Sequence, residues 1–403
     1  MLLYNIGIRL YGLALRMASL FHAKASQWIT GRTGSYWSNL QDAAERFPNP
    51  VWFHCASLGE FEQARPIIEE HKNRFPHIPV FITFFSPSGY HVQKNYSNAN
   101  YVTYMPLDTP SNAQRFLQIL QPRAVVFVKY EFWLNHLNRA LNQNIPVYLI
   151  SGIFREKQVF FKPIGGAYRK TLRRFTRVFV QDDNSAELLE KIGVQQCEIA
   201  GDTRFDRVQQ IGSEDYLNPL LEHFKTKNTL IAGSSWPVDE TFLANWINGS
   251  NDRYAIIAPH EISEKHIQQI IDQFNGAVRL SANVPNAKVV VVDSIGLLSK
   301  IYRFGRFAYI GGGFGVGLHN TLEAAVYGLP VVFGPNHKKF REAIELGAFG
   351  GGFPINSPDE FAPIADALSD PLFCRKAGEK SAEYVRSKTG ATEKFFASYS
   401  LSQ

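Results

Sequence analysis

Short apolar runs, rich in β-branched and aromatic residues, recur along the chain with polar, helix-like stretches between them. In the first half they read VWFHCASL, IPVFITFF, YVTYMPL, AVVFVKY, PVYLISG and RVFVQ; in the second, TLIAGSS, YAIIAPH, KVVVVDS, FAYIGGG and PVVFGP. The intervening stretches include EFEQARPIIEEHKNRF and PSNAQRFLQIL. Continuous apolar runs of this length suit strands buried on both faces, and their alternation with helices predicts parallel sheets covered on each side. Residues 207–227 hold no strand-like run, which predicts a linker between domains at 29–206 and 228–403. The fold class is α/β: two doubly wound, Rossmann-like domains facing a cleft, the last helix being free to pack back on the first domain. With 403 residues, each domain can bury a sizeable core. Ligands in such sheets bind beyond the carboxyl ends of the strands.

Residues 2–21, LLYNIGIRLYGLALRMASLF, are mostly apolar, and Asn5, Arg9 and Arg16 share one stripe of a helix. A signal peptide keeps its apolar core free of charge, and a spanning helix would carry arginine into hydrocarbon at a cost of about 2.5 kcal/mol or more. The pattern predicts an amphipathic, membrane-associated helix within residues 1–28 that lies in the interface; the plainer alternative packs it on the protein itself. A net charge of +6 suits acidic partners, whether phosphorylated substrates, an anionic membrane or nucleic acid. Cys55, Cys197 and Cys374 lie far apart, which argues against a zinc site or disulfide framework and for a reducing cytosol.

Two stretches carry chemistry. In HCASLGE, residues 54–60, an apolar run meets a carboxylate, Glu60, where a strand gives way to a helix. That acid is either a base held at a cleft, kept ionised by the helix N-terminus, or a first-turn acid stabilising the helix by roughly 0.3–1 kcal/mol. In YIGGGFGVGLHNTLEAAVYG, a strand runs into Gly311, Gly312, Gly313, Gly315 and Gly317, and Asn320 with Glu323 reads as a capping box. Glycines admit a ligand to the backbone and a helix N-terminus welcomes phosphate, with Glu323 placed for ribose hydroxyls; a tight loop with an ordinary cap explains the same letters. No GK[ST] follows, so this is not a Walker A loop.

In order along the chain, HCASLGE, TFFSPSGY, YMPLDTP, KYEFWLNHL, GDTRFD and GLHNTLEAAVYGLPVVFGP resemble the motifs of the 3-deoxy-D-manno-octulosonic acid (Kdo) transferases of lipopolysaccharide synthesis, which have the GT-B fold. The resemblance implies metal-independent, inverting transfer of Kdo from CMP-Kdo to a lipid A precursor at the cytoplasmic face of the inner membrane, with no cofactor. It implies Glu60 as general base and Arg204 as the charge-stabilising cation. It places Pro259, His260, Ile295, Gly296, Leu297, Gly313, Asn320 and Glu323 around the CMP moiety; beside these, Ser57, Ser86 and Ser88 either contact the acceptor or simply terminate strands, and Glu131 is placed to line the acceptor cleft. Three positions depart from the family pattern. Lys129 stands where the family has a glutamate, Glu131 being retained; His260 replaces an arginine; and Arg204 replaces a lysine. Lys129 is either a second stabilising cation or a solvated charge, and His54 reads as a strand histidine.

The segment FFKPIGGAYRKTLRRFTRVF interleaves Lys162, Arg169, Lys170, Arg173, Arg174 and Arg177 with aromatics. No nucleic-acid module surrounds it, so with Arg9 and Arg16 it reads as a patch for phosphates or an anionic membrane, and not for nucleic acid; a solvated helix face is the alternative. Another GT-B nucleotide-sugar transferase or epimerase, or a non-catalytic lipid- or nucleotide-binding relative, would fit the same fold.

Overall fold

The computed structural model describes residues 1–315 and 317–401; Val316 in the glycine loop, Ser402 and Gln403 lie outside the described residues. The chain forms two compact units, Met1–Arg207 with Gly390–Gln403, and Val208–Thr389.

The first unit holds seven parallel strands: β1 (Val51–Cys55), β2 (Val80–Phe84), β3 (Tyr101–Tyr104), β4 (Ala124–Val128), β5 (Val147–Gly152), β6 (Arg177–Val180) and β7 (Cys197–Ile199), in the order β3-β2-β1-β4-β5-β6-β7. Every residue of β1, β2, β4 and β5 is buried, as the unbroken apolar runs require. Trp52, Phe116 and Phe127 pack on one face; Phe53, Phe61 and Tyr148 pack on the other. From β1 the chain winds outward to β2 and β3, then returns past β1 to β4. That reversal opens a crevice beyond the carboxyl ends of β1 and β4.

The second unit holds β8 (Asn228–Ser235), β9 (Arg253–Pro259), β10 (Ala277–Arg279), β11 (Val289–Val291), β12 (Phe307–Ile310), β13 (Val331–Phe333) and β14 (Gly352–Pro354), in the order β10-β11-β9-β8-β12-β13-β14. All its pairings are parallel. Its reversal lies between β8 and β12, beside the glycine loop. Residues 207–227, read as a linker, contain the end of the helix Thr203–Ser213 and a short 3-10 helix at Glu222–Thr226.

Four helices precede or follow β1: α1 (Leu2–Ala18), α2 (Ala23–Thr30), α3 (Tyr36–Arg46) and α4 (Leu58–Arg74). The expected single N-terminal helix is thus two helices, interrupted at residues 19–22. Helix α1 buries Ile8 and Gly12, and a Cβ on Gly12 would lie 2.6 Å from Leu107 Cδ2, so a larger residue there would have to displace the Leu107 side chain. Tyr4 Oη donates to Asp108 Oδ2 at 2.5 Å, and Asn135 Nδ2 donates to Asn5 Oδ1 at 2.9 Å. The apolar residues Leu2, Leu3, Ile6, Leu10, Leu13 and Met17 are exposed instead. Among the described residues no helix is long and apolar enough to cross a membrane.

Candidate active site

Glu60 lies in the first turn of α4, immediately beyond β1, and is 7% exposed. The Ala56 N–H donates to its Oε2 at 2.5 Å. Burial pushes its pKa up and Glu131 adds to the rise; the Ala56 N–H, the Lys129 charge and the Ser57 N–H oppose them, leaving it at about 7. The expectation that the helix N-terminus keeps this acid ionised is therefore corrected: desolvation outweighs the favourable dipoles. Such a carboxyl changes charge near neutrality, where a general base works best.

The neighbours of Glu60 come from adjacent strand ends. Lys129 and Glu131 follow β4, which pairs with β1. Lys129 adopts a left-handed backbone with φ of 59°, a conformation a lysine takes only at a cost. Burial raises the pKa of Glu131 as well. Ser57 is the N-cap residue of α4 and makes no side-chain cap bond. Ser86 follows β2; its N–H donates to Ala56 O at 2.8 Å, and its hydroxyl lies 2.7 Å from that of Ser88. Glu60, Lys129, Glu131, Ser57, Ser86 and Ser88 therefore gather at the carboxyl ends of β1, β2 and β4.

Arg204 reaches this group through an intermediary that sequence reasoning missed. Its guanidinium pairs with Asp202 at 2.8 Å, and Gln63, one turn beyond Glu60 on α4, donates to the same carboxylate at 2.9 Å. Burial pushes Asp202 up, but the Arg204 charge and the bonds from Gln63 and Arg204 hold its pKa below the usual range. His54 is fully buried, its Nδ1 lies 2.9 Å from Thr83 Oγ1, and burial followed by His136 pushes its pKa down to about 3. It is a neutral strand residue.

In the second unit, His260 follows β9 and stacks between Trp236, which follows β8, and His319; the ring centroids lie 4.7 and 4.6 Å from its own. Neither Trp236 nor His319 was singled out from the sequence; each is a single aromatic letter that only the sheet brings beside His260. Burial, then the nearby His260, lowers the His319 pKa. The glycines serve the fold first. A Cβ on Gly311 would sit 2.1 Å from Ser234 O, and one on Gly313 would sit 2.6 Å from Gly334 N. The expected capping box is also corrected. The helix after the loop is only Leu322–Ala325, with Thr321 as its N-cap residue. Asn320 instead accepts from the Leu322 N–H at 3.1 Å and donates through Nδ2 to Glu323 Oε1 at 3.0 Å. Pro259 ends β9, while Ile295 and Gly296 form an exposed turn and Leu297 precedes the helix Leu298–Ile301. Among the described residues no group of three His, Cys, Asp or Glu could hold a metal ion.

Three arginines of the basic segment are tied to the chain itself. Arg169 donates to Phe160 O and Lys162 O, Arg173 to Ile192 O, and Arg174 to Asn142 Oδ1. Lys170 and Arg174 line a hollow of ≈ 510 Å³ with Arg139. Lys162 is exposed.

Residues 28–207 match the family model described as 3-deoxy-D-manno-octulosonic-acid transferase (kdotransferase). A 3-deoxy-D-manno-octulosonic acid transferase of Aquifex aeolicus is 25% identical over 337 residues, 83% of this chain and 90% of that protein. The Rickettsia bellii protein of the same name is also 25% identical, over 80% of this chain and 79% of its own length. Over its first unit and across most of its length the chain is thus similar to this transferase family. It is a glycosyltransferase with a two-domain GT-B α/β fold. Solved GT-B structures agree on the fold. A UDP-GlcNAc 2-epimerase from Neisseria meningitidis matches with a TM-score of 0.61 at 16% identity, over 87% of this chain and 99% of that one. MurG from Acinetobacter baumannii matches with a TM-score of 0.54 at 13% identity, over 87% and 98%. The family match spans every residue placed around Glu60 in the first unit, including Lys129 and Arg204.

Proposed function

We propose that the protein transfers Kdo from CMP-Kdo to a hydroxyl of a lipid A precursor, with inversion, as a peripheral enzyme on the cytoplasmic face of the inner membrane. Glu60 takes the proton of the acceptor hydroxyl. The oxygen attacks the anomeric carbon of Kdo as the bond to the phosphate oxygen of CMP breaks, and CMP departs with the bonding electrons. One observation carries this reading: a buried carboxyl, tuned to about 7, stands at the reversal point of the first sheet. General-base assistance of this kind contributes about two to four orders of magnitude in rate.

Lys129 and Arg204 supply positive charge, Arg204 in a form moderated by its pairing with Asp202. Ser57, Ser86, Ser88 and Glu131 contact the acceptor. The ligands of CMP are Gly313, Asn320, Glu323, His260 and the turn of Ile295, Gly296 and Leu297, with Pro259 setting the position of His260. The family relation supports this donor, and the outward apolar face of α1 supports the membrane surface as a partner. The test is incubation with CMP-Kdo, generated in situ, and a tetraacylated lipid A precursor, followed by mass analysis. Products heavier by whole Kdo units are expected. Turnover of a uridine sugar with none of CMP-Kdo would overturn the assignment.

A further inference from the structure

Helices α1 and α2 and the segment after β3 enclose a cavity of ≈ 450 Å³. Three guanidinium groups line it, those of Arg9, Arg16 and Arg32, with no Asp or Glu among the described residues of its lining. Asp108 lies next to the lining residues Leu107 and Thr109 in sequence, but its carboxylate is taken up by Tyr4, Asn135 and His136. Arg32 is held by neutral groups only. It donates to the carbonyls of Met105, Trp28, Phe84 and Phe85, and its guanidinium lies 3.8 Å from the Trp28 ring centroid and 4.5 Å from that of Tyr104. Trp28 also lines the cavity, is 6% exposed, and its indole N–H has no acceptor among the described residues. Leu13, Ile29 and Leu107 give the wall an apolar part, and Thr33, Thr109 and Asn112 add neutral polar groups. Concentrated positive charge, an unused N–H donor and a partly apolar wall describe a site for an anion attached to a greasy body.

The cavity adjoins the group around Glu60. Phe85 packs against Trp28 with ring centroids 5.5 Å apart, against Tyr11 of α1 at 6.2 Å, and against Trp133 at 4.6 Å. Ser86, next in the chain, bonds to Ala56, whose N–H holds Glu60. The apolar outer face of α1 begins at the cavity rim, where Leu13 is 55% exposed. A lipid seated with its anion among the arginines would keep its acyl chains along that face.

We infer that this cavity is the subsite for a phosphate group of the acceptor lipid, holding it with Arg9, Arg16 and Arg32 while the acceptor hydroxyl reaches Glu60. The inference rests on the proposed transfer to a phosphorylated lipid. It narrows the phosphate patch that the sequence suggested for Arg9, Arg16 and residues 160–179 to the two arginines of α1, and it adds Arg32.

The test pairs the full-length R9Q/R16Q variant with wild type in detergent micelles. Both arginines are exposed, so the fold is retained; Arg32 is left alone because it ties four carbonyls. With the tetraacylated, phosphorylated acceptor, KM should rise about ten- to hundred-fold, with kcat and the KM for CMP-Kdo within about two-fold of wild type. With the same acceptor dephosphorylated, the two proteins should behave alike. An equal penalty on both acceptors, or none on either, overturns the inference. Binding to acceptor-free anionic phospholipid vesicles should differ little between the two proteins. A vesicle-binding loss with an unchanged micellar KM would mean the cavity reads bulk phospholipid, and also overturns it. Acceptor binding without donor, followed by tryptophan fluorescence, separates this inference from the proposed reaction. Phosphate-dependent binding lost in R9Q/R16Q, in a protein that does not use CMP-Kdo, would sink the reaction and leave the cavity. Turnover of CMP-Kdo with phosphate-blind binding would do the reverse.

Discussion

At pH 7 the Glu60 carboxyl is divided between its acid and its base, because its pKa stands at about 7. Only the ionised form accepts a proton, so kcat/KM should climb with pH through about 7 and level off above it. The neighbours set where that limb falls. Glu131 raises the Glu60 pKa and Lys129 lowers it, so Glu131→Gln should move the limb to lower pH and Lys129→Met to higher pH. Displacement in the same direction by both would refute the electrostatic origin. The same shift bears on folding. A carboxyl whose pKa is raised from 4.5 to about 7 binds more protons folded than unfolded between those values, so stability falls as pH rises through that window. Its cost is about 1 kcal/mol at pH 5 and grows to about 3 kcal/mol at pH 8. Glu60→Gln keeps an oxygen for the Ala56 N–H and removes the charge. The variant should lose about two to four orders of magnitude in rate, yet gain denaturant stability at pH 8 and much less at pH 5. Parent-like turnover would remove Glu60 from the base role.

Helix α1 shows what patterning reveals at the scale of an element and what it hides. The stripe of Asn5, Arg9 and Arg16 was legible, and so was the helix. Which face meets the protein was not, because it depends on Gly12 meeting Leu107 and on Tyr4 and Asn5 meeting Asp108 and Asn135, residues more than a hundred positions away in the last two cases. Arg32 was invisible for a similar reason: in TGRTGS it reads as a loop charge, and only folding wraps it in carbonyls and rings. The three-residue strands β7, β10 and β14 were missed too, being too short for a period to declare itself. The outward face of α1 makes a prediction at its own scale. Leu3, Leu10 and Met17 are 85, 61 and 63% exposed, so replacing all three by serine should leave thermal stability unchanged. Partitioning into anionic vesicles should fall by at least about ten-fold, since each large apolar side chain contributes about 1.5–3 kcal/mol when buried. Undiminished co-sedimentation with vesicles would show that α1 does not carry the membrane contact.

Over the whole molecule, the sequence disclosed the two sheets because their central strands are apolar on both faces; VWFHC and AVVFV admit little else. The path of the chain at its end was less legible, since its last helix could serve either domain by composition. In the structure, residues 390–403 belong to the first unit. Asp206 accepts from the N–H groups of Gly390 and Thr392 at 2.6 and 2.7 Å, fixing the entry of the last helix, Ala391–Ala397. Phe395 is 1% exposed and packs against Tyr148 and Phe179, ring centroids 5.6 and 5.5 Å apart. Tyr148 Oη in turn accepts from the Ser400 N–H at 2.9 Å. The core on one face of the first sheet is therefore completed by a helix that follows the whole of the second unit. Phe395→Ala removes a ring from this buried cluster and should cost about 3–5 kcal/mol. That loss belongs to the first unit alone, since the second has its own core around Tyr309, Phe242 and Phe361. Calorimetry or hydrogen exchange on the variant should show the protection of β1, β5 and β6 falling while that of β8, β9 and β12 holds; a uniform loss across both sheets would mean that the two cores unfold as one.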